Sequence, residues 1–498
     1  MTRAAADIGQ GLAPARDARH IRKGERIHIL GVAGAGASAA ALLAHHVGAK
    51  VSGCDAGGSS PYSAAMEEAG IKVQWSHDPA HVERPADERP ERLAVTKALT
   101  AVNPDHPELV AARNLGIPSE PWQQVIADVA ATTGQRLVAV AGTHGKSTTA
   151  GWLVDVLVRH GRDPSAFVGA LLDAVVTGHV PSTARWGRGD VFVVEADEYA
   201  GNFDPYKPSV ILLLNAEWDH PDVFADADAV YDTFANWIRA AAKATLIANV
   251  GDAGVVEVLK RLEGWEGRVV TVGLDVPTAD VYGQVEVDQE ISPVSTLVVN
   301  GRFGAGVYGT QLPGRHNAAN GLMVLAAANV LGVLGEEPGD GPAIGGFRGV
   351  GRRLELKGEV AGVTVLDDYG HHPTAIARAI EAVRERYPSR RLWAVYEPLT
   401  YHRTAAMLEA FAGVLAAADQ VAIADIWAGR DPDTTITSAT ALADAVTSRG
   451  GPRAVAPGSV EQTADHLATQ VKSGDVVLVM GGGRSYVIAE RLVQLLHQ

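Results

Sequence analysis

Short apolar runs recur along the chain, each leading into a turn rich in glycine or acidic residues and then into a helical apolar pattern. This is the alternation of parallel α/β sheets, whose strands are buried on both faces and so read as continuous hydrophobic runs. Three blocks of the kind are visible. The first, residues 26–134, opens with a strand at 27–30, a Gly-rich turn, a helix over 39–47 and a second strand ending at Asp55. The second, 135–345, begins with a strand at 137–141. It carries further strands at 191–194, 210–214 and 245–248, and a helix over 318–330. The third, 346–498, places strands at 363–366, 392–395, 421–424 and 476–479. The charged stretch 82–92 reads as a surface loop and the Gly/Pro-rich stretch 334–346 as a linker. Residues 1–25, polar and rich in Ala and Arg, read as a flexible tail without signal-peptide character.

Size agrees with that division, since 498 residues exceed one ordinary core and suit roughly three domains. Charge narrows the partners. A net charge of −15 speaks against a nucleic-acid or acidic-membrane binder. Any phosphate must therefore be held locally, by backbone amides and a few cations. The single cysteine, Cys54, excludes an internal disulfide and a multi-cysteine metal site. No apolar stretch reaches the roughly 18 residues of a membrane span, and a cytoplasmic location is expected.

The strongest chemical signal is Ala-Gly-Thr-His-Gly-Lys-Ser-Thr-Thr at 141–149, between an apolar strand and a helical pattern. In such a turn the amides of Gly142, Thr143, His144 and Gly145, with the helix start at Lys146, Ser147 and Thr148, make an anion cradle for ATP phosphates. Lys146 can neutralise the terminal phosphates and Ser147 can reach Mg²⁺, although Val140 stands where the general pattern has its first glycine. Two further strands run into Glu195-Ala196-Asp197-Glu198 and into Asn215-Ala216-Glu217-Trp218-Asp219-His220. Ligands gather at the carboxyl ends of parallel strands, so these groups should converge on the loop, with Glu195 suited to Mg²⁺. The turn at 31–36 has the context of a dinucleotide or nucleotide-diphosphate site, with Asp55 at the next strand end as a ribose or base partner, but Ala33 spoils the dinucleotide fingerprint and a purely structural tight turn fits the pattern equally well.

Taken in order, GTHGKSTT, EADE, the Asp-His pair, GRHNAANG, DDYGHHPT and YEPLTYHRT resemble the Mur ligases, which add amino acids to a UDP-linked peptidoglycan precursor. The resemblance covers about residues 26–490, and the histidine of GTHGK is similar to the branch that adds L-alanine to UDP-N-acetylmuramate and to its peptide-recycling relative. It implies a UDP-binding Rossmann-like domain, a central P-loop ATPase domain and a C-terminal Rossmann-like domain, acting as monomer or homodimer. It further implies that Gly34, Gly36, Asp55 and Thr100 hold the UDP substrate, and that Ser147, Glu195 and His220 surround Mg²⁺. Asn317 and Asn320 would lie along adenine, Arg353, Asp368 and His371 would close over ATP, and Arg403 would take a substrate carboxylate. Residues 222–242 contain no lysine, so the carboxylated lysine of several Mur ligases has no counterpart in that stretch. Leu399 and Thr400 depart from the usual His and Arg. The implied reaction joins L-alanine to UDP-N-acetylmuramate through an acyl phosphate. The alternatives are a ligase for a recycled murein peptide, a nicotinamide-dependent dehydrogenase, and a non-catalytic nucleotide-binding regulator.

Overall fold

The computed structural model describes residues 5–287, 295–302, 305–334, 344–429, 431 and 433–497. Among them the strands form three sheets that follow one another along the chain, each flanked by helices, in the three-domain α/β arrangement expected. The linker expected at 334–346 falls mostly outside the described residues.

The first sheet contains β1 (Arg26–Leu30), β2 (Lys50–Cys54), β3 (Lys72–Gln74), β4 (Arg92–Val95) and β5 (Ser119–Pro121), ordered β3-β2-β1-β4-β5 and parallel throughout. The chain reverses its direction of winding between β1 and β4, so a crevice opens over their carboxyl ends. Helix Ala35–His46 covers one face; it is alanine-rich and eight of its residues are buried, which allows close approach to the strands.

The second sheet contains β6 (Arg136–Ala141), β7 (Ser165–Leu172), β8 (Ser182–Arg185), β9 (Val191–Ala196), β10 (Val210–Leu213), β11 (Thr245–Asn249), β12 (Arg268–Leu274), β13 (Val281–Val287), β14 (Ser295–Gly301) and β15 (Gly306–Thr310). Its order is β15-β14-β13-β12-β11-β10-β6-β9-β7-β8. The apolar strand β6 lies between β10 and β9, parallel to both. Beyond β13 the sheet continues as an antiparallel meander, an extension that the helical alternation did not predict. Helix Lys146–Arg159 is buried from Ser147 to Leu157 because helix Arg315–Val330, buried nearly all round itself, lies against its outer side.

The third sheet contains β16 (Glu355–Val360), β17 (Val363–Asp368), β18 (Leu392–Glu397), β19 (Gln420–Ala424), β20 (Ala454–Gly458) and β21 (Val476–Gly481), ordered β16-β17-β21-β18-β19-β20. Only the β16–β17 edge among its described pairs is antiparallel.

The segment before β1 corrects the expectation of a flexible tail. Ile8 and Ile21 are buried, and Arg16 sits between Glu120 and Asp128 at 3.0 and 2.7 Å. Arg19 pairs with Glu25 at 2.6 Å. Its arginines, which in sequence look solvated, complete an ionic cluster with buried Arg92 on the first domain. No helix among the described residues is long and apolar enough to cross a membrane.

Candidate active site

Strand β6 ends in a loop that glycine makes possible at two points. Gly142 has φ of +139° and a Cβ there would press on the Asn215 backbone; Gly145 has φ of +78° and its Cβ would meet Asn320 Oδ1 at 3.0 Å. The segment following β10 braces the loop from the other side. Asn215 Oδ1 accepts from the His144 amide at 2.8 Å, and its Nδ2 donates to the His144 carbonyl at 3.1 Å. Thr143 Oγ1 accepts from the Glu217 amide at 2.9 Å and lies 3.1 Å from the Glu217 carbonyl. The loop is thereby a fixed object before any ligand arrives.

Lys146 turns back under this loop, donating to the Gly142 carbonyl at 2.7 Å and to Glu198 Oε2 at 3.1 Å, with Asp197 at 3.6 Å. Burial works against its charge, but Glu198, Asp197 and Glu195 together raise its pKa well above the ordinary lysine value. Glu198 is pushed up to about 7 because burial and the neighbouring Asp197 outweigh the attraction of Lys146. One ammonium thus serves two adjacent carboxylates, and the more enclosed of them holds its proton more tightly.

Of the three residues expected around Mg²⁺, the structure joins two. Ser147 Oγ donates to Glu195 Oε1 at 3.1 Å, while Glu195 Oε2 accepts from the Gly169 amide at 2.6 Å. His220 instead gathers with Asp197 and Glu198, whose candidate ligand atoms lie within 4.8 Å of one another. The short 3₁₀ turn Tyr199–Gly201 after β9 redirects the chain there and brings Glu198 back toward Lys146.

The C-terminal domain closes over the loop. A cavity of about 130 Å³ lies between them, lined by His144, Gly145 and Thr148 of the loop, Asn317 and Asn320 of helix Arg315–Val330, and Arg353 and Asp368. Arg348, Arg378 and Arg386 also face it, so four guanidiniums surround one space with Asp368 as its one lining carboxylate among the described residues. Arg353 reaches Ser147 Oγ at 3.4 Å. Asp368 is occupied with the backbone, accepting from the amides of Leu354 and Gly370 at 2.9 and 2.7 Å. Asn317 lies inside its helix and donates to the Pro313 carbonyl at 2.8 Å, and Gly314 is the helix cap.

Arg403 and His371, expected in the same site, are not among the residues that line this cavity. Arg403 is buried and donates to Asp219 Oδ1 at 2.6 Å, with His220 Nδ1 3.1 Å from the same Nη2. Burial would raise the Asp219 pKa, yet Arg403 and the surrounding histidines hold it well below the carboxylate range. Arg403 Nε is buried with no hydrogen-bond partner among the described residues. His371 is kept neutral by burial and by the charge of Arg403, and its Nδ1 lies 2.9 Å from the Tyr369 carbonyl. Asp219 as the partner of Arg403 and Asn215 as the brace of the loop had no assigned task in the sequence, because their partners are remote in the chain.

The first-domain turn occupies the crevice over β1 and β4. Gly31 approaches Thr96 so closely that a Cβ would stand 2.7 Å from Thr96 Cγ2, and Gly36 leaves room for the Trp122 ring. Gly34 begins helix Ala35–His46. Asp55 crosses from the end of β2 to accept from the Ala33 amide at 3.1 Å and the Gly57 amide at 2.8 Å. Thr100 does not join them. Its hydroxyl is buried and lies 2.6 Å from the Ile8 carbonyl and 3.1 Å from that of Lys97, which ties down the N-terminal segment. The expected substrate contact at Thr100 is thus replaced by a structural one.

Three family models match in succession: "Mur ligase family, catalytic domain" over residues 26–133, "Mur ligase middle domain" over 140–328, and "Mur ligase, glutamate ligase domain" over 352–483. The UDP-N-acetylmuramate--L-alanine ligase of Streptomyces griseus subsp. griseus is 34% identical, covering 92% of this chain and 94% of its own. That of Clavibacter michiganensis subsp. michiganensis is 36% identical over 95% of this chain and 94% of its own. Among solved structures, the UDP-N-acetylmuramate-alanine ligase of Thermotoga maritima superposes with a TM-score of 0.75 at 23% identity, over 94% of this chain and 98% of that one. A murein peptide ligase of Psychrobacter arcticus gives 0.71 at 25% identity, over 95% and 99%.

Proposed function

This chain belongs to the Mur ligase family, and from that premise we propose that it joins L-alanine to the carboxylate of UDP-N-acetylmuramate, coupled to cleavage of ATP to ADP and phosphate. The observation that carries the reading is the arginine-rich cavity at the mouth of the phosphate loop. Four arginines line it in a chain whose net charge is −15, a local concentration of positive charge that suits a polyphosphate. A dehydrogenase leaves that cavity and Lys146 without a task.

A carboxylate is a poor acyl donor because oxide would have to leave. The carboxylate oxygen attacks the γ-phosphorus and ADP leaves, giving an acyl phosphate. The amine then attacks the carbonyl carbon, which forms the C–N bond, and the tetrahedral intermediate loses the amine proton and collapses by breaking the C–O bond to release phosphate. In this reading residues 142–148 cradle the phosphates, Lys146 compensates charge on the transferring group, and Asn317 and Asn320 lie along the base. Arg353, Asp368 and His371 close the site. Ser147 and Glu195 would hold Mg²⁺, whose positive charge stabilises the phosphoryl group in flight. Asp197, Glu198 and His220 offer oxygen and nitrogen ligands beside them. Gly34, Gly36 and Asp55 receive the UDP part at the first-domain crevice. Arg403, anchored on Asp219, would take a substrate carboxylate.

The named relatives favour L-alanine as the amine, and the likeness to a murein peptide ligase makes a peptide the competing substrate. Phosphate release is to be measured with UDP-N-acetylmuramate, Mg-ATP and either L-alanine or L-Ala-γ-D-Glu-meso-diaminopimelate. Release that needs all three components, with higher kcat/KM for L-alanine, is expected. A preference for the tripeptide would transfer the protein to peptide recycling, and no release with either amine would overturn ligation.

A further inference from the structure

The first domain contains a second cluster of chemically capable side chains, on the face of the sheet opposite helix Ala35–His46. His28 projects from β1, Cys54 closes β2, His81 ends the 3₁₀ turn Pro79–His81, and Glu108 projects from helix Pro107–Asn114. We propose that His28, Cys54, His81 and Glu108 form a binding site for a divalent transition metal, zinc in the first instance, separate from the phosphate loop and its magnesium.

Geometry is the first support. Glu108 lies 3.2 Å from His28 Nε2, 3.2 Å from Cys54 Sγ and 3.4 Å from His81 Nδ1. All four candidate ligand atoms lie within 4.8 Å of one another. Metal bonds of about 2.0–2.3 Å in a tetrahedron separate neighbouring ligand atoms by roughly 3.3–3.7 Å. The contacts present therefore approach the edges of such a tetrahedron, and small adjustments would make room for the ion.

Charge is the second. Glu108 and His28 are fully buried, as is Cys54. Among the described residues the ion-pair partners of Glu108 are histidines alone, with neither lysine nor arginine. A buried carboxylate needs a compensating cation, and a metal ion supplies one without protonating the imidazoles.

Ligand chemistry is the third. One thiolate with imidazoles and a carboxylate suits zinc, and no second cysteine is needed. Cys54, the sole cysteine of the chain, would supply the thiolate. On binding, its S–H bond breaks, the proton leaves to solvent and the sulfur donates its electron pair to the ion; no redox change occurs. Outer partners already orient the ligands: Ser52 Oγ stands 2.9 Å from His28 Nδ1, and the Asp78 amide donates to Glu108 Oε1 at 3.1 Å. His77 Nδ1, 3.3 Å from Cys54 Sγ, is at hand as an exchangeable ligand. The Cys54 carbonyl accepts from the amides of Gly31 and Val32, so an ion here would fasten the base of the Gly-rich turn.

The test uses the untagged full-length chain. Elemental analysis of protein from zinc-supplemented cells should find about one zinc per chain, and Co²⁺ added to chelator-stripped protein without ATP should give tetrahedral visible bands with a thiolate charge-transfer band. Cys54→Ser should lose the charge-transfer band while keeping the far-UV circular dichroism. Because Cys54 is the sole thiol, its alkylation in moderate urea should also slow by roughly tenfold or more when zinc is added to wild type. That measurement does not depend on the variant folding. Substoichiometric zinc together with no thiolate–cobalt band, or alkylation indifferent to zinc, overturns the proposal and leaves the cluster a hydrogen-bonded network.

Discussion

Two strand–turn–helix junctions in this molecule are built alike and equipped differently. Both follow an inner strand whose two neighbours run parallel to it, β1 in one and β6 in the other, and both need glycine where the backbone turns or approaches a neighbour. At the first, Asp55 accepts from the Ala33 amide, so a carboxylate uses one of the turn's donors and the bracing is local. At the second, neutral Asn215 braces the loop, Lys146 lies beneath it, and acids stand one layer further back. The same topology thus supplies two positions at strand ends, and under the proposed function the charges placed around them would separate a site for a sugar nucleotide from one for a transferring phosphate.

The comparison breaks most visibly at Lys146. Lys146→Ala should lower turnover by about 10²–10³-fold, as loss of one preorganised charge at the reacting group does. Calorimetry should find the affinity for UDP-N-acetylmuramate unchanged. Loss of that affinity as well would show that the two junctions are not independent. Gly36→Ala comes next, because the added Cβ would stand 2.2 Å from the Trp122 ring. Overpacking of this kind costs about 1–3 kcal/mol, to be seen as a lower urea midpoint with the ATP KM of the folded fraction unaltered. Asp55→Asn should be milder, weakening a charged hydrogen bond and raising the KM for UDP-N-acetylmuramate by roughly tenfold. An equal rise in the ATP KM would count against a local brace.

The smallest effect is a pH slope. Glu198 is raised from its ordinary value to about 7, so between about pH 4.5 and 7 the folded state binds more protons than the unfolded one. Its contribution is complete below that window and is lost as pH rises through it. Glu198→Gln should remove this descending limb from a stability–pH curve, whereas Asp55→Asn should leave it in place.

How much was legible beforehand depends on where each partner sits in the chain. Strands β6, β10 and β17 announce themselves as apolar runs because both their faces are covered, and the polar residues at their ends mark the carboxyl edge. Strands β9 and β17 were read short at those ends: Glu195 and Asp367–Asp368 still belong to strands, since ladder pairing continues after the hydrophobic signal stops. The loop from Gly142 to Thr148 was legible because its chemistry is contiguous. The Arg403–Asp219 pair was not, for 184 residues separate its members and neither has a local signature. Thr100 was misread for the same reason, its partner being the carbonyl of Ile8. The antiparallel strands β13 to β15 were missed because the reading expected a helix between successive strands.

The segment from Asn215 to His220 touches three things at once. Asn215 and Glu217 hold the phosphate loop, while Glu217 accepts from Thr374 Oγ1 at 2.6 Å and Asp219 grips Arg403. Trp218 packs into the core of the C-terminal domain. Thermodynamic reciprocity then applies: whatever the docking of that domain does to the grip of the loop on its ligand, filling the loop must do to docking, by the same factor. Six consecutive residues thereby join two events on opposite sides of them, and any coupling they carry must act equally in both directions.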